Sequence, residues 1–149
     1  MTLEHAAVRE ALIKSTLALM QEGGLAAVKA RTVADQAGVS VGTVYNLFAN
    51  VDQLILAANL KIYEDLGALG AKRMVAIEAD LQKRIKSGKL ADTARERLHA
   101  RLLGLAETYV DFISANANRW SALLAFNRTR AVGESQDNLQ HLNALIDIL

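Results

Sequence analysis

The chain has no cysteine and no proline among its 149 residues, and only 5% of them are aromatic. Without cysteine there is neither a disulfide framework nor a thiolate metal site. Without proline no helix is interrupted from within, and little in the composition favours strands. Alanine and leucine are abundant instead, so the expectation is an all-α fold. No stretch is apolar for the length a bilayer requires. The opening MTLEHAAVREALIKS is amphipathic and charged throughout, unlike an export signal, so a soluble, cytoplasmic protein without membrane contact is expected. Charge of one sign is also lacking. Seventeen Lys and Arg face sixteen Asp and Glu, and a net charge of +1 gives little long-range attraction to a polyanion.

Chemistry is equally sparse. His5, His99 and His141 are scattered without metal-ligand spacing, and carboxylates such as Glu107 and Asp111 occupy ordinary polar helix positions. The sequence has no nucleophile elbow, no phosphate-cradling loop and no paired-histidine helix. It reads as no enzyme, with no catalytic residue, metal or cofactor. With 52% hydrophobic residues it can nevertheless bury a sizeable core, roughly 70% of its unfolded surface for a domain of this length.

The most informative stretch is KARTVADQAGVSVGTVYNLF, Lys29 to Phe48. Val33 and Ala34 fall on one short helical segment, Gly38 and Val39 break it, and Val44, Leu47 and Phe48 share a face of a second. Ala34 suits a close crossing of two backbones, and Gly38 suits a left-handed helix end. Ser40 suits the N-cap of the second helix. Val33, Ala37, Val39, Val44 and Leu47 can close a small core, which turns Val41, Gly42, Thr43, Tyr45 and Asn46 outward. Exposed amides, a small residue at Gly42 and the hydroxyls of Thr43 and Tyr45 can grip phosphate oxygens, and Asn46 or Arg31 can approach base edges.

AGVSVGTVYNLF resembles the DNA-binding motif of TetR-family transcriptional regulators, a resemblance that covers about the first third of the chain. It implies a three-helix head over residues 1–50, with Lys29, Arg31, Thr32, Ser40, Val41, Gly42, Thr43, Tyr45 and Asn46 at DNA. It further implies a helical ligand-binding and dimerisation region over 51–149, shortened at its C-terminus. Two positions depart from the family: Lys29 stands where a Thr or Ser usually caps the first motif helix, and Val51 where a phosphate-binding lysine usually opens the next helix. Within residues 1–50, Arg9, Lys14, Lys29 and Arg31 are balanced by Glu4, Glu10, Glu22 and Asp35. DNA binding by so neutral a head is expected to be weaker or more salt-sensitive than by a basic one.

Around this motif the chain reads as helices. Ala6 to Gln21 carries two adjoining apolar rows, Val8, Leu12 and Leu19 beside Ile13, Leu17 and Met20, ended by Gly23 and Gly24. Arg9 and Lys14 are phosphate candidates or simply a solvated face. Asn50 with Gln53 opens a long helix carrying Ile55, Ala58, Ile62, Leu66 and Leu69, in which Gly67 and Gly70 mark a hinge, a close helix approach or an end. The basic run Lys83, Arg84, Lys86 and Lys89 reads as a helix C-terminus in preference to a nucleic-acid patch. Thr93 and Glu96 open the next helix, whose stripe Leu98, Leu102, Leu105, Tyr109 and Phe112 reads as core. A short helix bearing Trp120 to Phe126 follows, then a loop from Arg128 to Gly133 and a last helix with Leu139, Leu142, Ile146 and Leu149.

Tyr109, Phe112, Asn116, Trp120 and Phe126 fall on helices that surround an inducer pocket in the resembling family, with Asn127 as a further polar candidate; they line a small-molecule site or fill a core. Two functions stay open. One is a ligand-responsive regulator, a repressor that a small hydrophobic effector releases from operator DNA, acting as a homodimer. The other is a helical interaction protein that keeps the fold without binding DNA. A chain ending at Leu149 is expected to dimerise poorly, because its last apolar stripe lacks a partner.

Overall fold

In a computed structural model, residues 3–130 are described, and among them there are six α-helices and no strand. These are α1 (Leu3–Gly23), α2 (Ala30–Ala37), α3 (Val41–Leu47), α4 (Val51–Lys86), α5 (Ala94–Ala115) and α6 (Ala117–Arg130), with a 3₁₀ turn at Leu25–Ala27. The expected last helix lies outside the described residues. The chain divides into two compact units: residues up to Ile62 together with α6, and residues from Tyr63 to Ala115. Contacts thus divide the chain at Ile62, twelve residues beyond the limit of 50 read from the motif.

In the first unit α1 packs against α2, α3 and α6. Its apolar rows supply Leu12, Leu17 and Met20 to a core shared with Val33, Ala34, Val44, Leu54, Ala58, Leu123 and Phe126. Burying a Leu or Val side chain is worth about 1.5–3 kcal/mol, so this set carries most of the unit's cohesion. Thr16 is fully buried beside them, its hydroxyl donating to the Leu12 carbonyl at 2.9 Å. At the end of α1 the Asn118 amide donates to the Gln21 carbonyl at 2.7 Å, satisfying an acceptor that the helix itself leaves open. Arg119 Nε reaches the Leu17 carbonyl at 2.9 Å. One polar residue has no such arrangement: neither amide atom of the buried Asn59 meets a hydrogen-bond partner among the described residues.

The described part of the second unit is the C-terminal half of α4 and all of α5. The long helix passes unbroken through Gly67 and Gly70, so neither glycine ends it. Gly70 is buried, and a Cβ there would lie 3.7 Å from the Leu105 side chain, in accord with a close helix approach. Gly104 meets α4 more tightly still, since a Cβ added there would run into the Ile77 side chain. The rim of this contact is ionic. Arg101 pairs with Glu78 at 2.6 Å, Arg73 with Glu107 at 3.1 Å and Arg97 with Asp92 at 2.7 Å. The hydrogen bond from Arg101 holds the Glu78 carboxyl below its ordinary range, opposed in part by desolvation and helped by the charges of Arg101 and Arg97. The basic run closes α4 as read, with Lys83, Arg84 and Lys86 in its last turn.

Two readings need correction. The α5 stripe read as core is partly turned to water: Leu98 is 52%, Leu102 48% and Tyr109 46% exposed, while Gly104 and Thr108 face inward. Glycine carries no hydropathy signal, so the packed side of α5 was the less visible one. The loop expected from Arg128 onwards begins later, because α6 continues to Arg130. Nothing between Phe126 and Arg130 breaks a helix, and the Thr129 hydroxyl bonds back to the Phe126 carbonyl at 2.7 Å.

Candidate nucleic-acid interface

The two motif helices are fixed by local chemistry at each end. Gly38 closes α2 with φ 69° and ψ 32°, the left-handed conformation, and the Val39 amide then bonds to the Ala34 carbonyl at 3.0 Å. The start of α2 is capped from the opposite direction to the usual one. Lys29 has no side-chain acceptor to offer, and Thr32 receives the Lys29 backbone N–H at 3.1 Å instead. The Thr32 hydroxyl proton faces the carbonyls of Ala27 and Lys29 at 2.8 and 2.9 Å. Thr32 thus supplies the returning half of a capping box, while Lys29 leaves the first-turn amides of α2 without a side-chain acceptor.

Ser40 caps α3 as expected, its Oγ accepting the Thr43 amide at 3.1 Å. The two hydroxyls also touch, Ser40 Oγ lying 2.9 Å from Thr43 Oγ1. Val44 is fully buried beneath them. That single anchor fixes the rotation of the seven-residue helix, so Val41, Gly42, Tyr45 and Asn46 are exposed and Thr43 half-buried. The nearest atom to a Cβ at Gly42 would be Ser40 Oγ at 3.6 Å, so packing within the chain does not require glycine there. Lys29 and Arg31 are also exposed. Asn50 opens α4 by accepting the Gln53 amide at 2.9 Å, which puts Val51, half-buried, in the first turn.

Arg9 has a role that its neighbours in sequence did not reveal. Its guanidinium lies over the Phe48 ring, 4.5 Å from the centroid, a cation–π contact from α1 to the residue that ends α3. Phe48 is buried, so a cation is held beside the end of α3 by packing.

The sequence pattern of bacterial regulatory proteins of the tetR family matches residues 12–58. Residues 12–58 carry the N-terminal domain of the tetR family. The match takes in α1 from Leu12, both motif helices and the first two turns of α4, about a third of the chain. Curated relatives agree. The HTH-type transcriptional repressor KstR of Rhodococcus jostii is 37% identical over 62 residues, 42% of this chain and 29% of that protein. The HTH-type transcriptional regulator BetI 2 of Chromohalobacter salexigens is 39% identical over 72 residues, 48% of this chain and 35% of that protein. KstR of Mycobacterium tuberculosis is 29% identical over 145 residues, 93% of this chain and 65% of that protein. The chain thus spans less than two thirds of the length of these relatives, and they are named as transcriptional regulators.

The residues expected at a ligand site are distributed over both units. Tyr109 and Phe112 lie on α5 in the second, while Asn116, Trp120 and Phe126 belong to the first. Phe126 is buried, Phe112, Asn116 and Trp120 half-buried and Tyr109 exposed. A pocket of about 310 Å³ in the first unit is lined by other residues, among them Gly23, Gly24, Asn118 and Ser121. No helix of the described residues is long and apolar enough to cross a membrane, and they hold no cluster of metal-ligating side chains.

Proposed function

We propose that this protein is a DNA-binding transcriptional regulator that reads duplex DNA with the first turns of α3. The observation that carries the reading is the division of α3 by burial: Val44 is sealed in the core while Val41, Gly42, Tyr45 and Asn46 stand outside beside a capped N-terminus. In this reading the bonded hydroxyl pair of Ser40 and Thr43 and the hydroxyl of Tyr45 address phosphate oxygens, and Asn46 and Arg31 approach base edges. Lys29 and Arg9 supply positive charge at either side, and Thr32 fixes the approach to α2. A homodimer supplies two such heads to a twofold-symmetric site. A small hydrophobic effector, sensed by the region bearing Tyr109, Phe112, Asn116, Trp120 and Phe126, releases the DNA; the family resemblance and the aromatic content of these helices support this part. Trp120 is the only tryptophan, so quenching of its fluorescence by an apolar ligand library tests it.

The DNA reading is tested by titrating the protein with duplex DNA over a range of salt concentrations. Tyr45→Phe should weaken binding to all sequences alike by about fivefold, the loss of one hydrogen bond. Val51→Lys should tighten binding at low salt and steepen the slope of log K against log salt by about one unit, since one more counterion is released. A helical interaction protein without DNA binding is the second reading, favoured by the neutral charge of residues 1–50 and by Val51. It prevails if no duplex is bound at low salt or if neither substitution changes the titration.

A further inference from the structure

We propose that Val41 reads the C5-methyl group of a thymine in the major groove, so that this protein distinguishes thymine from uracil at one position of its site. Among the described side chains up to Ile62, only Val41 and Tyr45 are large, apolar and exposed. They stand four residues apart on one ridge of α3, so the apolar surface that this part of the chain leaves open lies on the helix assigned to DNA. This assignment rests on the regulator reading of α3. It gives a part in recognition to Val41, which has neither a hydroxyl nor a charge.

The side chain of a valine can neither hold a phosphate nor form a hydrogen bond with a base edge. In the major groove the bases present donors, acceptors and one apolar group, the thymine methyl. Branching at Cβ leaves valine one strongly preferred rotamer in a helix, so its two methyl groups are in place before the contact forms. Its reach is short. Contact with a base edge therefore requires the backbone of α3 to lie deep in the groove, and the next residue, Gly42, permits that approach. Packing within the chain leaves room for a Cβ there, so the missing side chain serves an approach from outside. The charges near the motif favour the same assignment. Arg9, Lys14, Lys29 and Arg31 are offset by Glu4, Glu10, Glu22 and Asp35, and with so balanced a head affinity has to draw on contacts that salt does not weaken.

The test uses the 149-residue chain and the duplex that it enriches from a random pool. That duplex is made again with each thymidine in turn replaced by deoxyuridine, which removes the methyl group and leaves the base pairing unchanged. With the unmodified protein at least one replacement should weaken binding by about fourfold, the loss of one buried methyl group. Val41→Ala should bind the thymidine duplex about fourfold more weakly and show no further loss on replacement at that position. Comparing two proteins on one pair of duplexes cancels any effect of the methyl group on duplex shape. The slope of log K against log salt should be the same for Val41→Ala and the unmodified chain, because no phosphate contact is lost. Val41 is exposed, so the variant should melt at the temperature of the unmodified chain. No loss at any thymidine would overturn the proposal. So would a loss that Val41→Ala retains in full, which would set Val41 against sugar or solvent instead, and so would a salt slope that changes with Val41→Ala. Failure to enrich or bind any duplex at low salt would overturn the regulator reading and this assignment with it, whereas binding without a methyl effect would overturn the assignment alone.

Discussion

The two units of this chain are stabilised in different ways. The first is a closed apolar core, with Leu12, Met20, Val33, Val44, Leu54 and Leu123 all sealed from solvent and every turn fixed by a cap or a left-handed glycine. The described part of the second is a pair of helices that meet at Gly70 and Gly104, with Leu66, Ile77 and Leu81 buried, edged by exposed ion pairs and with exposed apolar residues on α5. Lost side-chain volume is costly in the first kind of packing, whereas the second depends on how near two backbones can come. Exposed ion pairs contribute little, typically below about 1 kcal/mol each, so the rim adds little to the contact between α4 and α5.

The largest expected effect contrasts two leucines. Leu12→Ala, in the core of the first unit, should cost about 3 kcal/mol in denaturant titrations, through lost burial and the cavity left behind. Leu102→Ala, on the outer face of α5, should cost less than about 0.5 kcal/mol in the monomer. Equal effects at the two sites would remove the distinction between the units. A finer contrast sets two glycines against each other. Gly104→Ala should destabilise by about 1 kcal/mol despite the better helix former, because its methyl group meets Ile77, and Ile77→Val on the same chain should recover part of the loss. Gly42→Ala has room within the protein, so stability should hold or rise slightly while DNA affinity falls. The smallest effect is electrostatic. The Glu78 carboxyl is held below its ordinary range by Arg101, so its contribution is present above the pKa of the unfolded chain and disappears as pH falls through the lower folded value. Thermal melts of Glu78→Gln and the unmodified chain should therefore differ slightly at neutral pH and converge in acid.

The same division governs what could be read from the sequence. The head was legible because its structure is encoded locally: Gly38 closes α2 in the left-handed conformation, Ser40 caps α3, and Asn50 with Gln53 opens α4. At Lys29 the residue type pointed to a missing cap, and the structure shows none from its side chain; the bond that Thr32 makes back to the Lys29 amide was not read from the sequence. α5 was misread for a different reason. Its apolar stripe is real, but periodicity reports only that a face is apolar and says nothing about what covers it. The packed face is marked by Gly104, whose contribution is the absence of a side chain. The outward residues of α3 were legible as a set, whereas Arg9 gave no sign of its contact with Phe48, which joins residues 39 positions apart.

The touching hydroxyls of Ser40 and Thr43 have a consequence for redundancy at the start of α3. Of their two protons one lies in the bond between them, whichever oxygen donates it, so the pair always retains a single proton to offer an outside acceptor. Removing either hydroxyl alone leaves the other group free to donate, and the offered proton survives. Ser40→Ala and Thr43→Val should consequently each look mild with respect to that donor, and only the double variant should lose it. A survey of DNA binding by single substitutions would then overlook this donor, although Ser40→Ala also removes the cap of α3.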